Sequence, residues 1–342
     1  MKAAILTAQN SPLVVADVEM PGLGVGQVLV DVAYSGICGK QLEEISGRRG
    51  PDDHLPHLFG HEGAGVVKDV GPGVKKVTIG DHVVLHWVKG SGIDSAPPRY
   101  NWNGKTVSAG WVTTLNQFSI ASENRVTQID PSIDLEVAAL LGCAVTTGLG
   151  IVFNNAALMP GQSIAVFGVG GIGLNVLQGA NLVNAYPIVA IDLHDSKLEQ
   201  ALAFGATHVV NASKQDPGTF LRELIGLEGF DATVDLTGSG AVREVAYNTT
   251  SNTGKTVLAG VPDVQEKITI DSFPLHFGRK IFGSHGGETR PDFDIPRYLQ
   301  LYQLGKLKLR EQITHRFSLD DINDGIEVVR SGEAGRCMIS IA

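Results

Sequence analysis

The chain has 342 residues, of which 43% are hydrophobic and 18% charged, and its formal net charge is −9. This length predicts two domains, and the composition is typical of a globular protein and not of a disordered one. The negative charge argues against nucleic acid as a partner, because phosphate binding needs a basic face.

Cysteine content indicates the compartment in which the chain works. The sequence has only three cysteines, which are too few for a disulfide framework. We therefore expect a reducing environment, and the cytoplasm is the predicted location. The opening residues, KAAILTA, predict a first strand and not a signal peptide.

Residues 1–148 consist of short β-rich runs separated by turns. After the first strand come QVLVDVAYSG, GAGVVKDVG and DHVVLHWV, with glycine-rich turns such as VGPGV between them. Runs of this length and punctuation predict an irregular antiparallel or barrel-like β domain.

Residues 149–284 change to strands that alternate with helices. The strand SIAVFGV is followed by a helix, and PIVAID, SKLEQALAFGA, HVVNA, FDATVDLTG and KTVLAGV continue the series. This alternation predicts a doubly wound parallel sheet. Glycines and the polar Gln178 and Asn181 interrupt the most apolar stretch, so we expect no membrane span. Residues 285–342 contain a helical pattern, IPRYLQLYQLGKL, and a closing strand, CMISIA.

A glycine-rich loop after the strand SIAVFGV predicts a dinucleotide site. The G-x-G-x-x-G pattern is formed by Gly168, Gly170, Gly171, Ile172 and Gly173 with Val169. Such a loop lets the backbone approach a pyrophosphate at the N-terminus of a helix. Asp192 ends the next strand, where an acidic residue binds the adenosine ribose and repels a 2′-phosphate. The pattern therefore favours NAD over NADP.

Three glycine-rich turns carry residues that suit a metal. Cys38 lies in SGICGKQLEEISG, His61 and Glu62 lie in FGHEGAG, and Cys143 lies in LLGCAVTTG. A lone cysteine is often a small buried hydrophobe. Two thiolates and an imidazole, however, form a three-ligand zinc site with an open fourth position. We expect all three to end strands.

Taken together, these motifs resemble the medium-chain dehydrogenase/reductase family, and within it the zinc-dependent alcohol dehydrogenases. The motifs that carry the resemblance are SGICG, GHEGAGVV, VGPGV, GDHV, C-x-x-T-T-G, GVGGIG, D-x-x-x-x-K and RSGEAGR. The resemblance implies a GroES-like catalytic domain over residues 1–148 and a Rossmann NAD-binding domain over 149–284. It also implies that residues 285–342 return to the catalytic domain, and that the active site lies in the cleft between the domains.

The resemblance also assigns roles to individual residues. Cys38, His61 and Cys143 correspond to the ligands of the catalytic zinc, and Glu62 to a transient fourth ligand. The other assignments are Thr147 against the nicotinamide, Lys197 near the adenosine ribose, Arg336 on the cofactor phosphates and Trp87 in the alcohol pocket. Trp102 and Trp111 are further aromatic candidates near that pocket.

Several positions depart from the family pattern. The four closely spaced cysteines of a structural zinc site are missing, so one catalytic zinc per subunit is expected. Lys40 stands where relatives carry a proton-relaying Ser or Thr, and Gln41 stands where they carry an Asp. Two interpretations of Lys40 stay open: it takes over proton transfer, or it pairs with Glu43 or Glu44 while water carries the proton.

The function implied by the resemblance is reversible NAD-dependent oxidation of a primary or secondary alcohol. The resemblance leaves the alcohol open. The three tryptophans suit an aryl alcohol or a sugar ring, whereas Lys40 and the neighbouring glutamates suit a polyol, cyclitol or anionic sugar derivative. One alternative is a zinc-independent reductase of the same family that acts on a quinone or an activated double bond. Another is a non-catalytic sensor that binds NAD(H). The segment Lys255–Phe282 resembles the family's subunit contact, which implies a homodimer or homotetramer.

Overall fold

The computed structural model describes residues 1–332 and 334–341. Contacts between Cα atoms divide the chain into two compact units. The first unit contains Met1–Thr146 together with the chain from Arg290 onward, and the second contains Thr147–Thr289.

Residues 1–146 are mainly β-structure. The strands are β1 Lys2–Leu6, β2 Val14–Asp17, β3 Gln27–Ile37, β4 His57–Leu58, β5 Glu62–Val70, β6 His82–His86, β7 Arg99–Trp102, β8 Lys105–Ser108, β9 Phe118–Ser122 and β10 Val126–Gln128. The helices are α1 Gly39–Ser46 and α2 Leu135–Ala139. Short 3₁₀ turns cover Glu123–Arg125 and Leu140–Gly142.

Strands and helices alternate in the second unit. Helix α3, Ala144–Gly150, leads into it and continues as a π-helical turn, Ile151–Ala156. The strands are β11 Ile164–Phe167, β12 Ile188–Asp192, β13 His208–Asn211, β14 Phe230–Asp235, β15 Thr250–Leu258 and β16 Lys280–Gly283. The helices are α4 Gly171–Leu182, α5 Asp195–Ala203, α6 Pro217–Ile225 and α7 Gly240–Asn248, and 3₁₀ turns cover Gly226–Glu228, Phe273–Phe277 and Gly286–Glu288.

The C-terminal segment returns to the first unit. It contains α8 Pro291–Gln303, a 3₁₀ turn Arg310–Gln312, β17 Ile313–Ser318, α9 Ile322–Ser331 and β18 Arg336–Ser340. Strand β18 pairs antiparallel with β3, and Cys337 lies opposite Ile37. The end of the chain therefore lies beside the end of β3.

The first unit contains two sheets. One has the strand order β2-β1-β4-β8-β7, and the other has the order β10-β6-β5-β3-β18-β17 with β9 also paired to β3. Strand β3 lies at the centre of the second sheet because β5, β9 and β18 all bond to it. Its buried apolar residues, such as Val28, Val30 and Val32, belong to the main core of this unit.

The sheet of the second unit is parallel and has the order β13-β12-β11-β14-β15-β16. All four residues of β11 are buried, as expected for a central strand with helices on both faces. The strand order reverses between β11, the first strand of this sheet in the sequence, and β14. Such a reversal is typical of dinucleotide-binding folds, whose ligands lie beside the point of reversal. The predicted fold class, a Rossmann domain plus a mostly β GroES-like domain, is confirmed.

Three local predictions were wrong, and one of them concerns His61, which does not end a strand but directly precedes β5. Residues 39–46 form helix α1 and not a turn, and Cys38 is the residue that caps it. Cys143 does not end a strand, because it lies between the 3₁₀ turn Leu140–Gly142 and α3. The physical reason is that LLGCAVTTGLG is buried along its whole length, and a fully buried apolar run has no periodicity that separates helix from strand.

Within the described residues, no single helix is both long and apolar enough to cross a membrane. A bent pair of helical segments, 135–142 and 144–156, passes that test by length and composition only.

Candidate metal and dinucleotide sites

Sheet register brings Cys38 and His61 together. Strands β3 and β5 are antiparallel neighbours, and Ser35 lies opposite Gly63. Cys38 directly follows β3 and His61 directly precedes β5, so both residues leave the sheet at the same edge. The antiparallel pairing of β3 with β5 therefore brings the two residues close in space although they are far apart in the sequence.

Gly142 allows Cys143 to reach the same place. A Cβ atom at this position would lie 2.4 Å from the carbonyl oxygen of Leu85 and 2.7 Å from the Cα of Glu62. Both distances are far inside van der Waals contact, so only glycine lets the helical segment approach β5 and β6 this closely. The approach places Cys143, the next residue, beside the residues at the start of β5.

Cys38, His61 and Cys143 form a cluster that fits zinc. One ligand atom from each, two sulfurs and one ring nitrogen, can be chosen so that all lie within 4.8 Å of one another. The pKa of the Cys38 thiol is held well below its ordinary value, mainly by a hydrogen bond with Cys143 and further by His61 and Arg336, while burial opposes this. Two soft sulfurs and one imidazole are the donor set of a catalytic zinc site.

Glu62 follows His61 directly in the sequence and is completely buried. Its Oε2 accepts the backbone N–H of Ala144 at 3.3 Å, and its Oε1 contacts the guanidinium of Arg336. Arg336 also hydrogen-bonds to the Cys38 side chain, and burial lowers the pKa of its guanidinium. The structure therefore places Arg336 against Glu62 and Cys38, while its predicted contact with cofactor phosphates stays a prediction.

Gln41 occupies the position where an Asp was expected from the family pattern. Its side chain is 1% exposed and makes two contacts in the cluster. The Oε1 atom accepts the backbone N–H of Cys38 at 2.7 Å, and the Nε2 atom lies 2.7 Å from Nδ1 of His61. Gln41 thus links two of the three candidate ligands.

Lys40 points to its own helix. Its Nζ lies 3.1 Å from Oε1 of Glu44, one turn further along α1, and both side chains are about one-third exposed, at 31% and 32%. This contact agrees with the second interpretation of Lys40, in which it pairs with a neighbouring glutamate. Its role in proton transfer stays a prediction.

A cavity of about 620 Å³ in the first unit is lined by His61 and by the two predicted pocket tryptophans, Trp87 and Trp111. Arg125 connects the two tryptophans, because its Nη1 donates to the carbonyl of Trp87 and its guanidinium lies 5.2 Å from the centre of the Trp111 ring. Trp102, the last residue of β7, is not among the lining residues. It packs against a small hydrophobic cluster that includes Tyr100 and Val107.

The same cavity has a polar wall. The Nε2 atom of His57 lies 3.0 Å from Oδ2 of Asp52. Its Nδ1 donates to the carbonyl of Leu58 at 2.7 Å. Both side chains of this pair line the cavity, as does Glu44. The cavity can therefore offer hydrogen bonds as well as aromatic faces to a small molecule.

The glycine-rich loop of the second unit makes a tight turn that leaves one side of the backbone open. Gly168 has a φ of +90°, which favours glycine in the tight turn. A Cβ at Gly173 would lie 2.3 Å from the carbonyl oxygen of Gly168, whereas a Cβ at Gly170 would meet nothing within 4 Å. The loop is thus closed on its inner side and open at Gly170, directly before α4 begins at Gly171 and Ile172.

Asp192 ends β12 and is held against this loop. Its Oδ2 accepts the N–H of Val169 at 2.9 Å, and its Oδ1 accepts the N–H groups of Leu193 and His194 at 2.7 and 3.2 Å. Lys197 follows in α5 and is partly buried. Thr147 lies in α3, and its buried hydroxyl has no hydrogen-bond partner among the described residues.

Sequence reasoning missed Asp52 and His57 as lining residues of the cavity, and Arg125 as a contact of its two tryptophans. Arg125 has no motif of its own, and only its contacts with two tryptophans distant in sequence reveal it. The run DDHLPHLFGHE did offer a signal, because its acidic residues and histidines directly precede a candidate metal ligand. That signal was weak, since exposed loops commonly have the same composition.

Comparison with known proteins agrees with this geometry. Residues 24–131 match the model "Alcohol dehydrogenase GroES-like domain", and residues 171–303 match "Zinc-binding dehydrogenase". The chain is 32% identical to alcohol dehydrogenase class-3 of Cereibacter sphaeroides and 31% identical to S-(hydroxymethyl)glutathione dehydrogenase of Paracoccus denitrificans, over 99% of each chain in both cases. The structure of benzyl alcohol dehydrogenase from Acinetobacter calcoaceticus superposes with a TM-score of 0.91 at 26% identity, covering 100% of this chain and 99% of that one.

Proposed function

Because the chain belongs to the zinc-dependent alcohol dehydrogenases of the medium-chain dehydrogenase/reductase family, we propose that it oxidises an alcohol reversibly with NAD and one zinc ion per subunit. The observation that carries this proposal is the convergence of Cys38, His61 and Cys143 on one point. The sequence has no other cysteine pair, since Cys337 is the third and last, so a second zinc bound by four cysteines cannot form.

Each residue of the cluster has a definite task in this proposal. Cys38, His61 and Cys143 hold the metal, which when bound supplies a Lewis acid that stabilises negative charge on the alcohol oxygen. Glu62 is the predicted transient ligand, and its Oε2 is held by the N–H of Ala144. Arg336 balances the charge of Glu62 in the buried interior.

The second unit holds the cofactor in this proposal. NAD, when bound, supplies the hydride acceptor. Gly168, Gly170 and Gly173 with their neighbours would cradle its pyrophosphate. The carboxylate of Asp192 lies beside that loop and supports NAD over NADP, because it would repel a 2′-phosphate. Lys197 near the ribose and Thr147 near the nicotinamide complete the proposed contacts.

The cavity of the first unit supports a substrate with both a ring and polar groups. Trp87 and Trp111 offer aromatic faces, and Glu44 and the pair of Asp52 and His57 offer hydrogen bonds. An aryl alcohol would use the first set, and a polyol, cyclitol or sugar derivative the second. We favour the polar hydroxylated class because Glu44, Asp52, His57 and His61 all line the cavity and can hydrogen-bond to hydroxyl groups.

Further parts of the proposal concern assembly and location. The segment Lys255–Phe282, which ends in the edge strand β16, is the proposed contact of a homodimer or homotetramer. The domain limits 1–148, 149–284 and 285–342 are also proposed, because they follow from the resemblance to the family. We propose a cytoplasmic location, consistent with three cysteines that form no disulfide.

A substrate panel tests the proposal. Sugar alcohols, cyclitols and aryl alcohols are offered with NAD and with NADP while the absorbance of the reduced nicotinamide is followed, and the zinc content of the same protein is measured. We expect one zinc per chain and turnover of at least one alcohol class with NAD. Replacement of Asp192 by Ser should raise activity with NADP relative to NAD. A protein without stoichiometric zinc that reduces quinones would contradict the proposal, and so would one that binds NADH without any turnover.

A further inference from the structure

Gln41 is fixed at both ends of its side-chain amide. It is the third residue of α1, and its Oε1 accepts the N–H of Cys38 at 2.7 Å. Its Nε2 lies 2.7 Å from Nδ1 of His61. Because the residue is only 1% exposed, water does not compete for either contact.

The direction of the amide follows from the partner at Cys38. A backbone N–H can only donate, so the amide atom that faces it must be the oxygen. Exchanging the oxygen and nitrogen of Gln41 would set two donors against each other. The NH₂ group therefore faces His61, and because this group can only donate, Nδ1 of His61 must accept.

An accepting Nδ1 decides where the proton of the ring is. A neutral imidazole whose Nδ1 accepts carries its proton on Nε2. With Nδ1 facing Gln41, Nε2 is the ring nitrogen left for the cluster with Cys38 and Cys143. Gln41 thus favours the tautomer of His61 that carries its proton on the nitrogen facing the cluster.

Metal binding needs the opposite arrangement. A metal-bound histidine coordinates through a lone pair and donates its other N–H to a carboxylate, a carbonyl or water. We propose that Gln41 is a positioning residue that favours the metal-free tautomer of His61 and so weakens zinc binding by this chain relative to a carboxylate at the same position. This inference depends on the proposed function, because it takes Cys38, His61 and Cys143 as the zinc ligands.

Glutamate is the matched replacement for Gln41. It has the same length and shape, and its two oxygens can accept from Cys38 N–H and from Nδ1–H of His61 at the same time. The lone pair of Nε2 is then free for the metal. Partners of this kind change metal affinity by about 10- to 100-fold.

Zinc competition tests the inference. Zinc-free wild type, Gln41→Glu and Ser46→Glu compete with a chromophoric chelator for zinc. Ser46 is the last residue of α1, so its variant adds the same charge away from His61. We expect Gln41→Glu to bind zinc about 10- to 100-fold more tightly than wild type, and Ser46→Glu to match wild type. Equal or weaker binding by Gln41→Glu would overturn the inference.

A second readout needs no variant at position 41. In ¹⁵N-histidine spectra of the zinc-free wild type, we expect Nδ1 of His61 to resonate as an unprotonated nitrogen and Nε2 as a protonated one. The signals are assigned by their loss in His61→Asn. A protonated Nδ1 would refute the inference while leaving the zinc site intact. Wild type that binds no zinc would instead overturn the proposed function and this inference with it.

Discussion

The guanidinium of Arg336 contacts the carboxylate of Glu62 in the protein interior, where the two side chains are 5% and 0% exposed. The contact joins β18, the last strand among the described residues, to the first residue of β5, and Arg336 also interacts with Cys38. The C-terminal segment therefore contributes a side chain beside the cluster of Cys38, His61 and Cys143.

Replacing Arg336 with Met should destabilise the cofactor-free protein. The substitution leaves Glu62 charged and buried without its partner, which costs about 3–5 kcal/mol. Urea unfolding of wild type and variant measures the difference. The matched control is Arg330→Met, which breaks an exposed ion pair with Glu327 and should cost less than about 1 kcal/mol. If both variants lose the same small amount, Glu62 does not depend on Arg336.

His86 should make the protein less stable in mild acid. It is fully buried, donates from Nδ1 to the carbonyl of Val88, and burial lowers its pKa from 6.5 to about 4. Between these values the unfolded chain binds a proton that the folded protein does not bind. The free energy of unfolding should therefore fall by about 3 kcal/mol as the pH drops from about 6.5 to about 4.

The variant His86→Gln isolates this effect. It keeps polar atoms that can face Val88 and Thr127 but has no ring to protonate. Its free energy of unfolding, measured with urea at several pH values, should decline less than that of wild type over this range. Parallel curves for the two proteins would show that His86 does not carry the acid sensitivity.

Lys40 should have no part in the pH dependence of catalysis. Its ammonium pairs with Glu44 at 3.1 Å, and a partly exposed pair of this kind stabilises the protein by less than about 1 kcal/mol. We expect Lys40→Ala and Lys40→Ser to keep the pH profile of kcat/KM and nearly all stability. A profile whose limb shifts or disappears in Lys40→Ala would assign proton transfer to Lys40 after all.

Arg125 should matter for substrates that contact the tryptophans. Lysine in its place loses the planar group that lies over Trp111 and bonds the Trp87 carbonyl. The loss of about 0.5–1 kcal/mol predicts that KM for aryl alcohols rises about 2- to 5-fold in Arg125→Lys. The control is Arg99→Lys, because Arg99 is exposed on β7. An unchanged KM in Arg125→Lys would separate the tryptophans from substrate binding.

Local sequence signals predicted the strand, the glycine turn and the helix around residues 168–173, because these elements are consecutive in the sequence. Gly168 and Gly173 need glycine for reasons that act within the loop itself. The cluster of Cys38, His61 and Cys143 could be suggested from residue types in glycine-rich turns, but assigning it needed the family resemblance, since no local rule links residues so far apart. The helical surroundings of Cys143 were missed for the same reason, because Gly142 is required by its contacts with Glu62 and Leu85.

Contacts between distant side chains were beyond the sequence. The amide of Gln41 at His61 depends on the register of β3 with β5, and the pairing of Arg336 with Glu62 depends on the return of β18. Sequence analysis could single out Gln41 and Arg336, but it could not show which side chain each of them contacts.

X-ray absorption at the zinc edge of the purified protein tests the central claim most directly. The account predicts two sulfur neighbours at about 2.3 Å and nitrogen or oxygen neighbours at about 2.0–2.1 Å, with one sulfur lost in Cys38→Ser and another in Cys143→Ser. A zinc surrounded only by nitrogen and oxygen, or unchanged by both substitutions, would contradict it.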